Sequence, residues 1–499
     1  WNAAWLSAPT PLAPEAQGFT ITKLGTSDQV RAHWTVAAGT IGDPVNIIIN
    51  DGSSDIHTST DLNGFFDFTL GTATDFTLTA SNATGSEMLQ SGLPTENSFS
   101  TIVRASNPVA YFRFLENEGS RLIADSAENP APHNGIASGS VISNITGALD
   151  RAASFDGASG TILCDNILNP GILTNGFTIE TIVRRSAWPD SPWDNPTMVS
   201  QQDNNGTGRL NLSVTNTGNV TSFLGSGNVV RQRRSDAFVY ADSWCHLSIV
   251  ADSSLNELRY YIDGILMART SENPDMNIAD VVIEDSTGAH VIGSNKFQNG
   301  DFWLGEIDEI AIYDFLLDDP NADGDLSDSR IASHRDAFIS EASGLLAFGS
   351  QINTIEAGSS APLDVKVGPD VTSISIDNGV GTLTATNGSA ITNVSPRVTT
   401  TYTVTTQSPA GTQTQSVTIN IIPNTSILEI TGITPNESGG YNITFLGDPG
   451  QTYVITASTD GITFTEINDD TTLDEFGNGS GFIPSSALPK QLYRIERAQ

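Results

Sequence analysis

The chain has 499 residues and a formal net charge of −35, a balance that repels nucleic acid and anionic membrane surfaces and argues against both as partners. Its apolar content of 38% supplies several cores, which excludes a disordered chain. The length suits about three to five domains. Ser, Thr, Gly, Asn and Asp are abundant, and Val, Ile, Thr and Phe recur in short alternating runs, so the composition predicts strands and turns: an all-β chain of tandem β-sandwich modules.

So acidic a chain suits divalent cations and salty water, although solubility alone is a sufficient reason for the charge. Lysine occurs only at Lys23, Lys296, Lys366 and Lys490. The two cysteines, Cys164 and Cys245, are too few for a disulfide framework, and their spacing leaves a bond between them open. No stretch is apolar enough to span a bilayer. The start at Trp1 reads as a mature N-terminus left by signal-peptide removal, with an expression boundary as the alternative. The expected location is secreted, extracellular or on a bacterial cell surface.

In chain order, residues 1–18 form an Ala- and Pro-rich arm carrying Trp1 and Trp5. Two indoles are costly to leave in water, so the arm is expected to dock on this chain or on a neighbouring copy. Residues 19–90 read as a small sandwich: Val45-Asn-Ile-Ile-Ile49 is a strand, Asn50-Asp51-Gly52 a turn, and Phe65-Phe-Asp-Phe68 and Phe76-Thr-Leu-Thr79 alternate with period two. The stretch from Phe76 to Gly85 aligns with that from Tyr402 to Gly411, which predicts a second such module over 345–423. Both resemble bacterial immunoglobulin-like modules, which implies spacer or assembly roles. Residues 91–104 read as a linker.

Residues 105–340 carry the strongest resemblance. Ala110-Tyr-Phe-Arg-Phe114, Asp125-Ser126, Ala153-Ser-Phe-Asp-Gly157, Phe177-Thr-Ile-Glu180, Trp244-Cys-His246, Leu258-Arg-Tyr-Tyr261-Ile-Asp263-Gly264 and Leu304-Gly-Glu-Ile-Asp-Glu-Ile-Ala-Ile-Tyr313 occur in the order found in laminin G-like domains. The segment resembles that concanavalin-like jelly roll, shared with pentraxins and many carbohydrate-binding modules. The resemblance implies calcium at one rim, with Asp125, Asp156 and Asp308 as the best-placed carboxylates; turn capping is the alternative for Asp125 and Asp156. Trp244 and His246 flank Cys245 and so share one face; a packed core pair is the expected reading.

Jelly-roll glycosidases of the laminarinase type carry two Glu on one strand as nucleophile and acid/base. Here Glu306-Ile-Asp308 lacks the second Glu, since Ile310 and Ala311 occupy both positions. Strand alternation places Glu309 on the opposite face from Asp308. No Gly-x-Ser-x-Gly elbow, His-Glu-x-x-His or phosphate-binding loop is present, and the six histidines have no metal-ligand spacing. The chain is therefore expected not to be an enzyme.

The closing strand leads into Asp319-Pro-Asn321-Ala-Asp323-Gly324-Asp325-Leu-Ser327-Asp328, with oxygen-bearing side chains at every second position. That pattern predicts a calcium loop ligated by Asp319, Asn321, Asp323, Asp325 and Asp328, although Arg330 stands where an EF-hand has its bidentate Glu. A solvated acidic turn is the alternative. Apolar spacing from Ile331 to Phe338 predicts one short helix, with Ser327 or Asp328 as its N-cap. The arginines Arg184, Arg185, Arg209, Arg231, Arg233 and Arg234 make a basic cluster that could grip an acidic polysaccharide or a partner's carboxylates.

Residues 424–499 run from Tyr453-Val-Ile-Thr-Ala-Ser-Thr-Asp460-Gly461 to Leu492-Tyr-Arg-Ile495. They resemble C-terminal β-modules of secreted planctomycete- and verrucomicrobium-like bacterial proteins. Together these features predict a non-catalytic secreted surface or extracellular-fibre protein that self-associates as a homo-oligomer or polymer with calcium support. The alternatives are a glycan-binding adhesin, or the accessory region of a polysaccharide-degrading enzyme.

Overall fold

Asp263 and Gly264 both take left-handed backbone angles, φ 48° and 75°. This two-residue turn joins strand Glu257–Ile262 to Ile265–Arg269 with Ile262 opposite Ile265, the geometry that matches strand twist in a tight hairpin. Turns of this kind and alternating apolar residues make the chain all-β. The computed structural model describes the chain except residues 1–10, 26, 41–42, 169–175, 187–194, 202–208, 216, 227–228, 256, 270–287, 296, 322, 423–427, 438, 449, 468–470, 475–476, 486–491 and 498–499; at 209, 223–226, 229–238 and 269 it describes the backbone alone. Two units result: Trp1–Ala347 with Lys366–Val371, and Phe348–Val365 with Thr372–Gln499.

The first unit opens with a sandwich. Glu15–Leu24, Gln29–Ala37 and Asn63–Thr69 form one sheet, and Asp55–Ser59, Asn46–Asn50, Asp75–Ser81 and Ser86–Gly92 the other. Phe19, Ile21, Trp34, Ile47, Ile49, Phe76 and Leu78 fill the space between them. Gly64 lies under Trp34, where a Cβ would come within 2.4 Å of the indole.

The stretch read as a linker is partly helical. Helix α1, Ser98–Ala105, starts in a capping box between Asn97 and Ser100 and buries Phe99 and Val103. The apolar pair Phe99 and Val103, four apart, carries that helix, but at eight residues the pattern is too short to separate from a polar linker.

The jelly roll consists of two eight-stranded sheets. One runs Val229–Phe238, Asn219–Ser226, Arg209–Val214, Thr197–Gln201, His290–Ile292, Thr161–Leu163, Gly135–Ser138, Leu122–Ile123. The other runs Val141–Thr146, Arg151–Asp156, Leu304–Tyr313, Phe177–Arg185, Trp244–Asp252, Glu257–Ile262, Ile265–Arg269, with Ala110–Phe112 also beside Leu304–Tyr313. Phe112, Phe155, Ile179, Leu212, Ile249, Ile292, Trp303 and Ile310 form the core between them.

The second sheet has a cover on its outer face. Phe99 and Val103 of α1, with Ile331 and Phe338 of helix α2, Ile331–Glu341, pack on Tyr111, Ile182, Trp244, Val250 and Tyr313. Trp244 and His246 thus share this face, while Cys245 points into the core. Helix α2 follows the predicted spacing, but its N-cap is Arg330, which makes no side-chain cap bond. Ser327 and Asp328 lie earlier, in a 3-10 turn, Leu326–Asp328, capped by Asp325.

In the second unit a five-stranded sheet runs Thr354–Glu356, Gly411–Ile422, Thr400–Ser408, Ser373–Ile376, Gly381–Leu383. The C-terminal module pairs Glu429–Pro435, Gly440–Leu446 and Asn478–Pro484, and sets Leu492–Arg497 beside Thr452–Ser458, over Ile443, Phe445, Tyr453, Ile455 and Ile483.

Candidate functional site

Strand Leu304–Tyr313 carries a β-bulge. On the neighbouring strand Ile182 stands opposite Glu309 and Val183 opposite Ile307, so Asp308 is an inserted residue. The bulge breaks the alternation that would send Glu309 to the face opposite Asp308. It also accounts for the irregular spacing of Ile307, Ile310 and Ile312. Carboxylate oxygens of Asp150, Asp308 and Glu309 consequently all lie within 4.8 Å of one another.

Asp308 and Glu309 are buried. Asp308 Oδ2 accepts from the backbone N–H groups of Ala148 (2.7 Å) and Leu149 (2.9 Å); its Oδ1 has no hydrogen-bond partner, and the Tyr111 hydroxyl neighbours Glu309. Gly147 admits this approach, since a Cβ there would sit 2.5 Å from Asp308 Oδ2. Arg113 Nε stands 3.6 Å from Glu309 Oε1, and the other guanidinium nitrogens pair with Asp150 (3.1 Å) and Glu96 (3.0 Å). Arg104 also pairs with Glu96. Burial pushes the Asp308 carboxyl up to about 8, with Asp150 beside it adding to the rise. Burial likewise holds Glu309 well above the usual carboxylate range, against the pull of Arg113.

Asp150 also lines a cleft of about 240 Å³ in the first unit, where the opening sandwich meets the jelly roll. Thr20, Ser91, Asn117, Asn144 and Arg151 contribute to its wall. Asn117 Nδ2 donates to the Gln90 carbonyl (2.7 Å), and Arg151 Nη1 to the Asn144 carbonyl (3.4 Å). Hydroxyl, amide and guanidinium groups therefore ring the space. It is smaller than the roughly 300–1,000 Å³ of drug-sized pockets.

The other residues singled out from the sequence have different roles. Asp125 is buried and accepts from the backbone of Tyr111 (2.9 Å), Ala127 (2.9 Å) and His133 (2.8 Å). Asp156 caps its turn, accepting from Ala158, Ser159 and Gly160. Neither belongs to the carboxylate group at the bulge. In the acidic loop, Asp319 accepts from the backbone of Asp323 (3.1 Å) and Gly324 (3.0 Å), Asp323 from that of Asp325 (2.9 Å), and Asp325 from that of Ser327 (2.9 Å). Asn321 bonds Asp328 through its amide nitrogen. Among the described residues, no three carboxylates of this loop converge as those at the bulge do. The loop thus caps its own backbone amides.

Arg184 forks onto Glu306 (2.9 and 3.0 Å) and lies over the Trp244 ring at 5.3 Å. Its neighbour Arg185 is buried over Trp303. Strand alternation thus separates the pair. Arg231, Arg233 and Arg234 lie on the edge strand Val229–Phe238, in register with Leu224, Ser222 and Thr221, and Arg209 begins the strand two places in. The side chains of these four lie outside the described residues, as do Trp1 and Trp5 in full. Cys164 and Cys245 are free and buried.

A second buried constellation joins α2 to the sheet. Glu180 accepts from His246 Nε2 (2.6 Å), His334 Nδ1 (2.9 Å) and the Tyr313 hydroxyl (2.9 Å). His334 Nε2 stands 3.0 Å from Ser106 Oγ. Burial alone would raise the Glu180 pKa; the imidazoles, His334 foremost, override it and hold the carboxyl well below its usual range. Ser106, His334 and Glu180 line up as a hydrolase triad does, but Ser106 is 3% exposed and His334 0%. Enclosed in this way, the line of side chains ties α2 to the sheet. The signal in the sequence is Glu180 itself, an acid inside the apolar run Phe177–Arg185.

Residues 156–321 match the family model of the concanavalin A-like lectin/glucanases superfamily. No curated protein matches the chain. Among solved structures it is similar to the IT-sialidase CBM40 of Ruminococcus gnavus bound to α2,3-sialyllactose, at 17% identity and a TM-score of 0.23, over 30% of this chain and 81% of that one. It is also similar to the botulinum neurotoxin serotype D binding domain, at 11% identity and a TM-score of 0.35, over 76% of this chain and 98% of that one. A third is the heptameric SAP-like pentraxin of Limulus polyphemus, at 13% identity and a TM-score of 0.23, over 32% and 69%.

Proposed function

We propose that the chain is a secreted, non-catalytic glycan-binding protein. The observation that carries this reading is the polar cleft beside the concanavalin-like jelly roll, where Asn117, Asn144 and Arg151 offer donors and acceptors at sugar-hydroxyl scale. Its volume suits a single sugar ring or chain end. Arg151 would favour an acidic sugar, since a guanidinium fork matches a carboxylate or sulfate. The absence of a second Glu at Ile310 or Ala311 supports a binding role over a hydrolytic one.

Glycan-array binding of the full chain, repeated with Arg151→Ala and Asn117→Ala, tests it. Loss of the array signal in both variants, with unchanged melting temperature, is the expected result. An unchanged profile in both, or release of reducing ends from a bound glycan, overturns it.

Self-association is a second reading, favoured by strand Glu429–Pro435. It ends its sheet, and its Ile430 and Ile433 are 52% and 57% exposed; an apolar open edge is a template for another chain. The arm bearing Trp1 and Trp5 would add a second contact. Electron microscopy and light scattering of the full chain, with and without residues 1–18 and with Ile433→Lys, decide the matter: a monomer at high concentration with calcium sinks this reading.

A further inference from the structure

We propose that Asp150, Asp308 and Glu309 form a buried site for one divalent cation, of the hard, oxygen-ligated kind that calcium represents. This site differs from the rim set of Asp125, Asp156 and Asp308 and from the loop at 319–328, and it does not depend on glycan binding.

Geometry is the first support. Two ligands of a calcium ion at about 2.4 Å lie no more than about 4.8 Å apart, and the three carboxylates satisfy that limit pairwise. The inserted residue at Asp308 is what brings two consecutive side chains to one point.

The second support is independent of clustering. Asp308 Oδ1 is buried and lacks a hydrogen-bond partner, while Glu309 beside it has the Tyr111 hydroxyl and Arg113 as its polar neighbours; the two residues are 0% and 1% exposed. Native structures rarely leave such atoms unmet, and an ion is one ordinary reason. Asp308 Oδ2, by contrast, is fixed by two backbone amides, which orients the group and leaves Oδ1 free.

Charge is the third. With every member ionised, as ligation of an ion requires, the cluster would hold four carboxylates, of Glu96, Asp150, Asp308 and Glu309, against two guanidinium groups, of Arg104 and Arg113. One divalent ion would close the difference of two. Arg113 already pairs with Asp150 and approaches Glu309, so it screens the site without balancing it. Asp150 lines the open cleft, which gives an ion a route in and allows water to complete the six to eight oxygens that calcium takes.

The test is calorimetric titration of the full chain with calcium chloride after chelator treatment, with melting temperature as a second readout. Wild type and Asp323→Ala are both expected to bind an ion and to melt higher with calcium. Glu309→Gln and Asp150→Asn are each expected to bind the ion at this site at least tenfold more weakly. Asp150→Asn at the cleft wall keeps the test open if Glu309→Gln fails to fold. No binding at millimolar calcium, binding abolished by Asp323→Ala, or full binding in Asp150→Asn overturns the proposal.

Discussion

His334 Nδ1 stands 2.9 Å from Glu180 Oε2, and through that contact helix α2 is fastened to the central strand of the covered sheet. The same carboxylate takes His246 and Tyr313, so one acid satisfies three donors from three elements. Replacing it with Gln removes the charge and leaves at least one donor unmet. Glu180→Gln is expected to destabilise the first unit by about 3–5 kcal/mol, read by denaturant titration. The folded carboxyl is held below its ordinary pKa, so its stabilising contribution is present above about pH 4.3 and is lost as pH falls below it. The gap between wild type and variant should therefore narrow in acid.

Ser106 is expected to be chemically silent. A fluorophosphonate probe should leave the native chain unlabelled, because Ser106 is enclosed. Ser106→Ala should cost about 1–3 kcal/mol, the penalty for leaving a buried imidazole nitrogen without its partner. Labelling of native protein that Ser106→Ala abolishes would make the triad catalytic.

Two other histidines set an acid limit of opposite origin. Burial lowers both His33 and His290 to about 3, so both are neutral in the fold. In the unfolded chain they protonate near pH 6.5. The unfolded state then binds more protons between about pH 6.5 and 3, and stability must fall across that window. His33→Gln should flatten part of this slope in chemical denaturation at pH 7, 6 and 5; an unchanged slope would count against the assignment.

Cys164 and Cys245 are free and buried, and burial raises both thiols well above their usual pKa. Both should resist a disulfide-exchange reagent in the native state and react when denatured, with equal melting temperature in reducing and oxidising buffer. Immediate reaction of either thiol, or a melting temperature that drops on reduction, would contradict this.

Much of the architecture was legible in the sequence. The hairpin at Asp263-Gly264, the closing strand and the spacing of Ile331, His334 and Phe338 all follow from local patterns that the fold keeps. Three things were not legible. The bulge depends on which residue faces Ile182 across the sheet, a register that no local alternation encodes. Helix α1 is carried by a tertiary surface for Phe99 and Val103. The cluster at Asp150 joins residues more than 150 positions apart, and the alternation that excluded Glu309 was the rule that failed. The acidic loop shows a different limit: a spacing of oxygens suited to an ion equally suits a turn that caps its own amides, and the backbone bonds at Asp319 are of the second kind.

The similarity match ends at residues 156 and 321, but the architecture does not. Strand Leu304–Tyr313, inside the match, pairs with Ala110–Phe112 and Arg151–Asp156, which lie before or across its start. Helix α2 lies beyond its end. A fragment cut at those limits would strip one flank of strand Leu304–Tyr313 and bare Ile182, Trp244, Val250 and Tyr313 to solvent. A piece that keeps these contacts begins no later than Glu96, whose carboxylate clasps Arg104 and Arg113, and runs through Glu341; pieces cut inside those bounds are expected to aggregate.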